Sequence, residues 1–292
     1  MDRPELLESP EEVRTALETA RGADRTIALV PTMGALHAGH LSLVREARRR
    51  ADIVVVSIFV NPTQFVAGED FETYPRDLDA DMALLGDEQA DFVFHPSVET
   101  MYPAGADTTV DPGAIGRVWC GASRPGHFTG VATIVTKLFG IVRPDIAIFG
   151  EKDFQQLRVI EKVVRDLDLR VRVVGCPIVR ERDGVAMSSR NAYLSPEDRA
   201  HARILSRALC SAQALATAGA TDATAIAADM GRMVSGEEGV EFDYATIVDA
   251  ETLDCLTSLG HRPARALVAA RVGPARLIDN VSLTPAVPPV CD

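Results

Sequence analysis

Apolar runs and amphipathic stretches alternate along the first 180 residues. Runs rich in β-branched residues predict strands at 26–30, 53–60, 92–94, 146–149, 171–174 and 178–179. Apolar residues at helical spacing predict helices at 41–50, 77–90 and 154–167. The 53–60 run is apolar almost throughout, as expected for a strand buried on both faces. This β-α-β-α order predicts an α/β fold with a doubly wound parallel sheet.

The sequence changes character after residue 180. Residues 200–233 are rich in alanine and mostly helical in spacing. Apolar runs at 242–248, 265–272 and 275–278 predict the strands of a small second sheet. We therefore expect two domains: a Rossmann-like ligand-binding domain at 1–180, and a smaller C-terminal α+β domain at 181–292 that closes over the site.

Polar segments punctuated by glycine or proline follow three of the predicted strands. They are PTMGALHAGH from Pro31, NPTQF from Asn61 and GEKDFQQ from Gly150. Ligands of open α/β sheets bind beyond the carboxyl ends of the strands, on the loops that lead into helices. The three segments therefore predict one pocket.

The charge balance limits the class of partner. The chain has 292 residues, with 30 Lys+Arg against 42 Asp+Glu and a formal net charge of −12. Nucleic-acid-binding surfaces need a cationic footprint, so we expect no nucleic-acid partner. An anionic small ligand would have to meet a local cluster of cations and backbone N–H groups.

Membrane insertion and export are not predicted. The longest strongly apolar stretch, 53–60, has eight residues, whereas a membrane span needs about 20. The acidic N-terminal segment lacks the apolar core of a signal peptide. The five cysteines are scattered without a C-x-x-C pair, so we expect neither a zinc site nor a disulfide framework, and a cytoplasmic location fits.

Two histidines, His37 and His40, stand where the 26–30 strand turns into the following helix. At this spacing they share one helix face, near the exposed N–H groups and the positive pole of the helix. Gly34 and Gly39 let the backbone approach a ligand closely. The segment predicts a phosphate site, and the alternative is a capping turn with two ordinary surface histidines.

Two further segments carry candidate phosphate ligands. Lys152 is one of three lysines in a chain with 27 arginines. A lysine at the start of a helix opposes the helix dipole, which favours a functional role. The loop 187–191 combines hydroxyls, N–H groups and Arg190, which suits a triphosphate, although a polar turn between domains would look the same.

Gln64 and Gln156 are neutral amides on two of the predicted pocket loops. They could orient a hydroxy acid without competing for a metal ion, because amides hydrogen-bond without carrying charge. Surface glutamines are the alternative. No metal site built from protein side chains is predicted.

Six segments in order resemble the pantothenate synthetase (pantoate–β-alanine ligase) family. They are VPTMGALHAGH, SIFVNPTQF, YPRDLDAD, RPGHFTGV, FGEKDFQQL and RERDGVAMSSRNAYL. The pairing of H-x-G-H with a distant M-S-[SK]-x loop is that of the nucleotidyl-transferring superfamily, which includes class I aminoacyl-tRNA synthetases and cytidylyltransferases. The resemblance runs from about residue 27 to residue 194, then more weakly through VAARVGPARLIDN.

The resemblance implies ATP-dependent synthesis of pantothenate, a coenzyme A precursor, in two steps. The pantoate carboxylate attacks the α-phosphate of ATP, with Mg²⁺ as cofactor, and gives pantoyl adenylate and pyrophosphate. The amine of β-alanine then attacks the activated carbonyl and expels AMP. Adenylation is needed because a free carboxylate is a poor electrophile. The resemblance also implies a homodimer, with ATP and pantoate bound by the 1–180 domain.

The resemblance also assigns roles to residues. Catalytic roles fall on His40 as the proton donor to the phosphate oxygens, with His37 beside it, and on Lys152 and Arg190. Pantoate contacts fall on Gln64, Gln156 and Asn61, with Gln64 also near β-alanine. ATP contacts fall on Met33, Gly34, Ala35, Leu36, His37, Ala38, Gly39, His40, Gly150, Glu151, Lys152, Asp153, Val179, Met187, Ser188, Ser189 and Arg190.

Two other functional classes are compatible with part of this pattern. A cytidylyltransferase or a tRNA synthetase fragment would share the H-x-G-H loop, but the paired glutamine loops and the acidic charge weigh against them. A non-catalytic nucleotide sensor would not need to keep His37, His40, Lys152 and Arg190 together.

Overall fold

The computed structural model describes residues 3–283, which form a parallel sheet and a smaller antiparallel sheet. The parallel sheet has six strands in the order β1-β4-β3-β2-β5-β6. Its strands are β1 (Glu5–Leu7), β2 (Ile27–Thr32), β3 (Ile53–Ile58), β4 (Phe92–Phe94), β5 (Ile146–Gly150) and β6 (Arg172–Cys176). The antiparallel sheet has the order β7-β8-β9, with β7 (Val240–Asp249), β8 (Ala264–Val272) and β9 (Ala275–Ser282).

Helices connect these strands. The α-helices are α1 (Pro10–Gly22), α2 (Ala38–Arg50), α3 (Leu78–Asp87), α4 (Val98–Met101), α5 (Cys120–Ser123), α6 (His127–Val142), α7 (Phe154–Asp166), α8 (Pro196–Thr217) and α9 (Ala223–Ser235). Short 3-10 turns lie at Pro62–Gln64, Gly113–Gly116, Glu151–Asp153 and Ser189–Tyr193. The predicted α/β class with a parallel sheet and a smaller α+β part is confirmed.

The order of the parallel strands reverses between β2 and β5. From β2 the chain proceeds outward through β3 to β4, and it later returns to place β5 on the other side of β2. Ligands of doubly wound sheets bind in the crevice that such a reversal opens at the carboxyl ends of the strands. The loop after Thr32 and the turn after Gly150 leave the sheet at these two ends.

Burial explains why β3 reads as a continuous apolar run. All six residues of β3 are buried, including Ser57, because strands pair with β3 on both sides and helices cover the faces. Helix α2 contributes Leu43, Val44 and Ala47 to the same core. Helix α2 therefore packs against the same core as strands β2 and β3.

One predicted element was wrong. The predicted strand at 178–179 is absent, because the chain after Pro177 folds into a hairpin of its own in which Arg180 faces Ala186. The prediction that 200–233 is mostly helical is confirmed, with α8 and α9 separated by a turn in which Gly219 has a φ of +92°. Strand β1 and helix α1 were not predicted.

The chain divides into two compact units. The first contains residues 3–151 and 156–177, and the second contains 152–155 and 178–283 of the described chain. In the second unit the core lies between the sheet and helices α8 and α9, and it uses many alanines. The predicted closing role of this unit stays a prediction.

No helix among residues 3–283 is long and apolar enough to cross a membrane. Of the described cysteines, Cys120, Cys176 and Cys255 are free thiols. Cys210 takes part in a disulfide, which the scattered spacing did not predict.

Candidate active site

The loop between β2 and α2 is held in a conformation that needs small residues. Gly34 has a φ of +82° and Ala35 a φ of +50°. A Cβ atom added at Gly34 would lie 3.0 Å from Oδ2 of Asp81 and 3.1 Å from a methyl group of Ile58. The left-handed conformation and the close approach together explain the glycine.

Asp81, on α3, anchors this loop. Its carboxylate accepts hydrogen bonds from the amides of Ala35 at 2.9 Å and Leu36 at 2.8 Å. The side chain is buried, with Asp81 only 3% exposed. Burial raises the pKa of the Asp81 carboxyl, and the two amide hydrogen bonds only partly offset it. Asp81 ends the YPRDLDAD segment, and nothing in the sequence predicted a role for its carboxylate.

His37 and His40 cap the N-terminus of α2. Nδ1 of His37 accepts a hydrogen bond from the amide of Gly39 at 3.1 Å, and Nδ1 of His40 accepts one from the amide of His37 at 3.4 Å. A neutral imidazole that accepts at Nδ1 carries its proton on Nε2. Each ring can therefore donate from Nε2, next to the positive pole of the helix.

Asn61 organises the turn after β3. It is 1% exposed and its Oδ1 accepts from the hydroxyls of Thr63 at 2.9 Å and Tyr102 at 2.8 Å. Its Nδ2 donates to the carbonyl of Gly130 at 3.2 Å and to Oε1 of Gln64 at 3.2 Å. The side-chain oxygen and nitrogen of Asn61 are both hydrogen-bonded within the protein, and these bonds hold the turn that carries Gln64. The pantoate contact of Asn61 stays a prediction.

Two predicted loops meet at Gln64. Nε2 of Gln64 lies 2.9 Å from the sulfur of Met33, which follows β2. The structure therefore brings together the loop after β2 and the turn after β3, as the strand order predicts. Gln156 lies on α7, and within residues 3–283 no hydrogen bond joins it to Gln64.

Glu69, Arg124 and His127 hold the backbone of Gln64. Glu69 accepts from Nε of Arg124 at 2.5 Å and from Nη2 at 2.7 Å. The carbonyl of Gln64 receives Nη2 of Arg124 at 3.2 Å and Nδ1 of His127 at 2.7 Å. Burial opposes ionisation of Glu69, but its hydrogen bonds to Arg124 and the charge of Arg124 outweigh it, so the pKa of the carboxyl is lowered.

The tautomer of His127 follows from these contacts. Nε2 of His127 lies 2.9 Å from Nη1 of Arg124, which can only donate. Nε2 therefore accepts and Nδ1 carries the proton that bonds to Gln64. His127 thus bridges Arg124 and the carbonyl of Gln64 through its two ring nitrogens, a contact that the sequence did not predict.

Lys152 lies in the 3-10 turn between β5 and α7, and it belongs to the second unit. Its Nζ is 3.5 Å from the carboxylate of Asp153, and its side chain is 21% exposed. Its backbone carbonyl accepts a hydrogen bond from Nδ2 of Asn280 on β9 at 2.9 Å. The turn that carries the lysine is therefore tied to the antiparallel sheet.

A hairpin in the second unit joins two predicted ATP segments. The amide of Met187 donates to the carbonyl of Val179 at 3.0 Å, and Gly184 turns the chain with a φ of +91°. Ser188 then caps the 3-10 turn Ser189–Tyr193, which contains Arg190. Val179 and the start of the 187–190 loop are thus neighbours, although the sequence separates them by a polar turn.

Arginine side chains hold this hairpin. Arg199 of α8 binds Asp183 with two hydrogen bonds, at 2.7 and 2.6 Å, and Glu181 with one at 2.9 Å. Arg180 binds Asp279 of β9, at 2.6 and 2.9 Å. Hydrogen bonding to Arg199 lowers the pKa of the Asp183 carboxyl. The pairs of Arg199 with Asp183 and of Arg180 with Asp279 are bidentate, which fixes geometry as well as charge.

Within residues 3–283 no group of three or more His, Cys, Asp or Glu side chains could hold a metal ion. The groups at the N-terminus of α2 are amides and imidazoles, which match the oxygens of an anion.

Known proteins resemble this chain along nearly its whole length. The profile of the family described as pantoate-beta-alanine ligase matches residues 5–282. A pantothenate synthetase of Rubrobacter xylanophilus is 53% identical over 285 residues, which cover 95% of this chain and 98% of the relative. One from Thermotoga petrophila is 52% identical over 278 residues, covering 95% and 99%.

Solved structures give the same result. A crystal structure of pantothenate synthetase from Thermus thermophilus superposes with a TM-score of 0.90 at 46% identity, covering 96% of this chain and all of that one. A pantoate-beta-alanine ligase from Francisella tularensis, complexed with beta-gamma ATP and beta-alanine, superposes with a TM-score of 0.81 at 31% identity, covering 97% of this chain and all of that one. The chain belongs to the pantoate–β-alanine ligase family, and the relatives compared with it above are pantothenate synthetases, or pantoate-beta-alanine ligases.

Proposed function

We propose that this ligase activates pantoate as pantoyl adenylate before β-alanine attacks. A carboxylate oxygen of pantoate bonds to the α-phosphorus of ATP, and the bond from that phosphorus to the bridging oxygen breaks as pyrophosphate leaves. The nitrogen of β-alanine then bonds to the carbonyl carbon, loses a proton, and displaces AMP. The products are pantothenate, AMP and pyrophosphate.

The observation that carries the proposal is the histidine cap of α2 at the reversal point of the sheet. His37 and His40 can both donate from Nε2, because each Nδ1 accepts a backbone amide. Donors at a helix N-terminus stabilise negative charge that develops on phosphate oxygens. We assign His40 the donor role toward the departing pyrophosphate, with His37 beside it.

Pantoate is assigned to the Gln64 turn in the first unit. The Gln64 side chain is placed by Met33 and Asn61, and its backbone by Arg124 and His127. Because these contacts already restrict the Gln64 amide, it loses little conformational entropy when it binds a carboxylate or hydroxyl. Gln156 is the second assigned contact, and this assignment rests on the resemblance of the FGEKDFQQL segment.

The second unit supplies further assigned nucleotide contacts. Lys152 is assigned to the phosphates, Val179 to the adenine through its backbone, and 187–190 to the triphosphate. These roles rest on the family resemblance. The structure of the Francisella tularensis relative, complexed with beta-gamma ATP and beta-alanine, supports ATP and β-alanine as substrates here.

Mg²⁺ fits this arrangement as part of the nucleotide substrate. The ion binds phosphate oxygens and keeps several waters, so it needs few protein ligands. The amides and imidazoles of the α2 cap suit phosphate oxygens better than a metal ion. When bound, Mg²⁺ would neutralise the charge of the phosphates.

Labelled oxygen tests the adenylate directly. With pantoate carrying ¹⁸O in its carboxylate, we expect AMP to acquire one ¹⁸O atom, because a carboxylate oxygen stays on the phosphorus when the amide forms. Pyrophosphate should also exchange into ATP with pantoate present and β-alanine absent. Release of ADP and phosphate, or AMP without label, would contradict the mechanism.

We also propose that the chain acts as a cytoplasmic homodimer. Light scattering on the purified protein should give a mass near twice 31.4 kDa. A monomer mass across a wide concentration range would contradict the dimer, and recovery of the protein with membranes or in the medium would contradict the location.

A further inference from the structure

Two consecutive residues of β9, Asp279 and Asn280, are buried although both are polar. Asp279 is 4% exposed and Asn280 is 2% exposed. Neighbouring residues of a strand point to opposite faces, so the pair presents one polar group on each face of the sheet. Burying such groups is costly unless they are hydrogen-bonded, and both of them are.

Asn280 reaches the turn that carries Lys152. Its Nδ2 donates to the carbonyl of Lys152 at 2.9 Å, and its Oδ1 accepts from Nε of Arg265 at 2.7 Å. The guanidinium of Arg265 lies 4.3 Å from the ring centre of Phe154, which begins α7. The two sides of the Asn280 amide therefore have fixed identities, with its nitrogen toward Lys152.

Asp279 reaches the hairpin that carries Val179 and Met187. Its carboxylate binds both terminal nitrogens of Arg180, at 2.6 and 2.9 Å. Nη1 of Arg180 also donates to the carbonyl of Gly184 at 3.0 Å, at the tip of the hairpin. Both partners are shielded from water, since the side chains of Arg180 and Asp279 are 13% and 3% exposed.

We propose that Asp279 and Asn280 are positioning residues that set the two nucleotide-binding segments of the second unit, the Lys152 turn and the 179–187 hairpin. The proposal rests on the proposed function, which gives these segments their nucleotide roles. Neither residue needs to touch a substrate. Each acts through a backbone or side-chain group next to an assigned contact.

The alternative is that the pair only stabilises the second unit. A stabilising role would lower the melting temperature when the pair is changed and leave the kinetics of folded enzyme intact. A positioning role changes specific kinetic constants in enzyme that remains folded. A double-mutant cycle with Lys152 separates the two, because residues that act through one another are not additive.

Asn280→Asp is the sharpest variant. It keeps the size of the side chain and the acceptor toward Arg265, but it places an oxygen opposite the carbonyl of Lys152. Pyrophosphate release in a single turnover, with saturating ATP and pantoate, should fall by about tenfold, as expected for losing one well-placed hydrogen bond. In a Lys152→Ala background the same change should have less than about a twofold effect.

Thr246→Val is the matched control. Thr246 is a buried polar residue of β7 in the same sheet, 4% exposed, and its hydroxyl pairs with Cys255 rather than with either nucleotide segment. Single-turnover adenylation should stay within about twofold of wild type. An equal loss in this control, or an equal fold-loss of Asn280→Asp in both backgrounds, would overturn the positioning role.

Asp279→Asn provides a second measurement that does not depend on the first variant folding. Removing the charge opposite Arg180 should raise the KM for ATP by about tenfold and change the KM for pantoate by less than about twofold. Equal shifts for both substrates would overturn the proposal. Wild-type protein without pantoate-dependent pyrophosphate release would instead contradict the proposed function.

Discussion

The rings of His37 and His40 stack, with their centres 4.1 Å apart and their planes inclined by 30°. Each ring also accepts a backbone amide at the start of α2. The two side chains therefore form one unit, which caps the N-terminus of α2 and also presents two Nε2 donors. Changing one ring alters the other, and the structural and chemical parts of the role must be separated by the choice of substitution.

Two substitutions of His37 separate these parts. Asparagine is a good N-cap residue and alanine is a poor one, so His37→Asn should retain most of the free energy of unfolding while His37→Ala loses about 1 kcal/mol. Both variants lose the imidazole, and we expect both to adenylate pantoate at least about tenfold more slowly. Denaturant unfolding and single-turnover kinetics on the same preparations check this. Full activity in His37→Asn would show that His37 only caps the helix and does not take part in adenylation.

Lys152→Ala should slow adenylation by about 100-fold or more, the size of effect seen when one donor to a transition state is removed. Lys162→Ala is the control, because Lys162 lies on α7 and pairs with Asp166 at the surface. Rapid-quench measurement of pantoyl adenylate should show the loss in the first variant only. Near-normal single-turnover adenylation in Lys152→Ala would refute its role.

Asp81→Asn should loosen the β2–α2 loop. The new amide group places a donor against one of the two loop amides, which costs about 1–3 kcal/mol for a buried unsatisfied group. We expect a lower melting temperature and a raised KM for ATP. Asp79→Asn is the matched control on the same helix, since the Asp79 side chain is 90% exposed and pairs with Arg3 at the surface. Equal effects of the two changes would contradict the inference that Asp81 holds the β2–α2 loop.

Gly130 and Gly140 lie on the same helix and should respond in opposite directions to alanine. A Cβ atom at Gly130 would lie 2.3 Å from the carbonyl oxygen of Thr63, whereas at Gly140 nothing lies within 4 Å. Gly130→Ala should destabilise the protein by about 1–3 kcal/mol and raise the KM for pantoate by displacing the Gln64 turn. Gly140→Ala should stabilise it by up to about 1 kcal/mol. Thermal unfolding of both variants measures these changes in stability. A shift in the same direction for both would contradict the prediction.

Glu69 makes a pH-dependent contribution to stability. The pKa of its carboxyl is lower in the folded protein than its ordinary value of 4.5, so ionised Glu69 stabilises the fold. The stability that Glu69→Gln removes at neutral pH is fully present in wild type above pH 4.5 and is lost as the pH falls through the lowered pKa. Unfolding curves of both proteins from about pH 7 to about pH 3 should therefore converge. A constant difference across that range would contradict the assignment.

The sequence predicted those parts of the fold that depend on local pattern. The apolar run of β3 and the amphipathic spacing of α2 and α7 are local signals, and the structure places helices and strands there. The strand predicted at 178–179 is absent, because a contact with residues further along the chain decides the local structure there. Val179 pairs with Met187 in a hairpin and not with the parallel sheet.

Short motifs predicted the positions of two candidate site segments, and the roles of their residues stay predictions. The loop of His37 and His40 and the turn of Gln64 lie at neighbouring strand ends, as the strand order required. The residues that hold these motifs were not predicted. Asp81, Arg124 and Asn280 act over distances of 45 to 128 positions in the chain, and no periodicity or spacing marks such a contact.

The hydrogen bond from Asn280 to Lys152 has a consequence for synthesis of the chain. The two residues are 128 positions apart, and Asn280 lies on the last strand of the described chain. During synthesis the Lys152 turn leaves the ribosome well before β9 does. Until β9 has emerged, the turn lacks its hydrogen bond to Asn280. A chain that stops short of β9 would contain every assigned catalytic residue and still lack the contact that sets one of them.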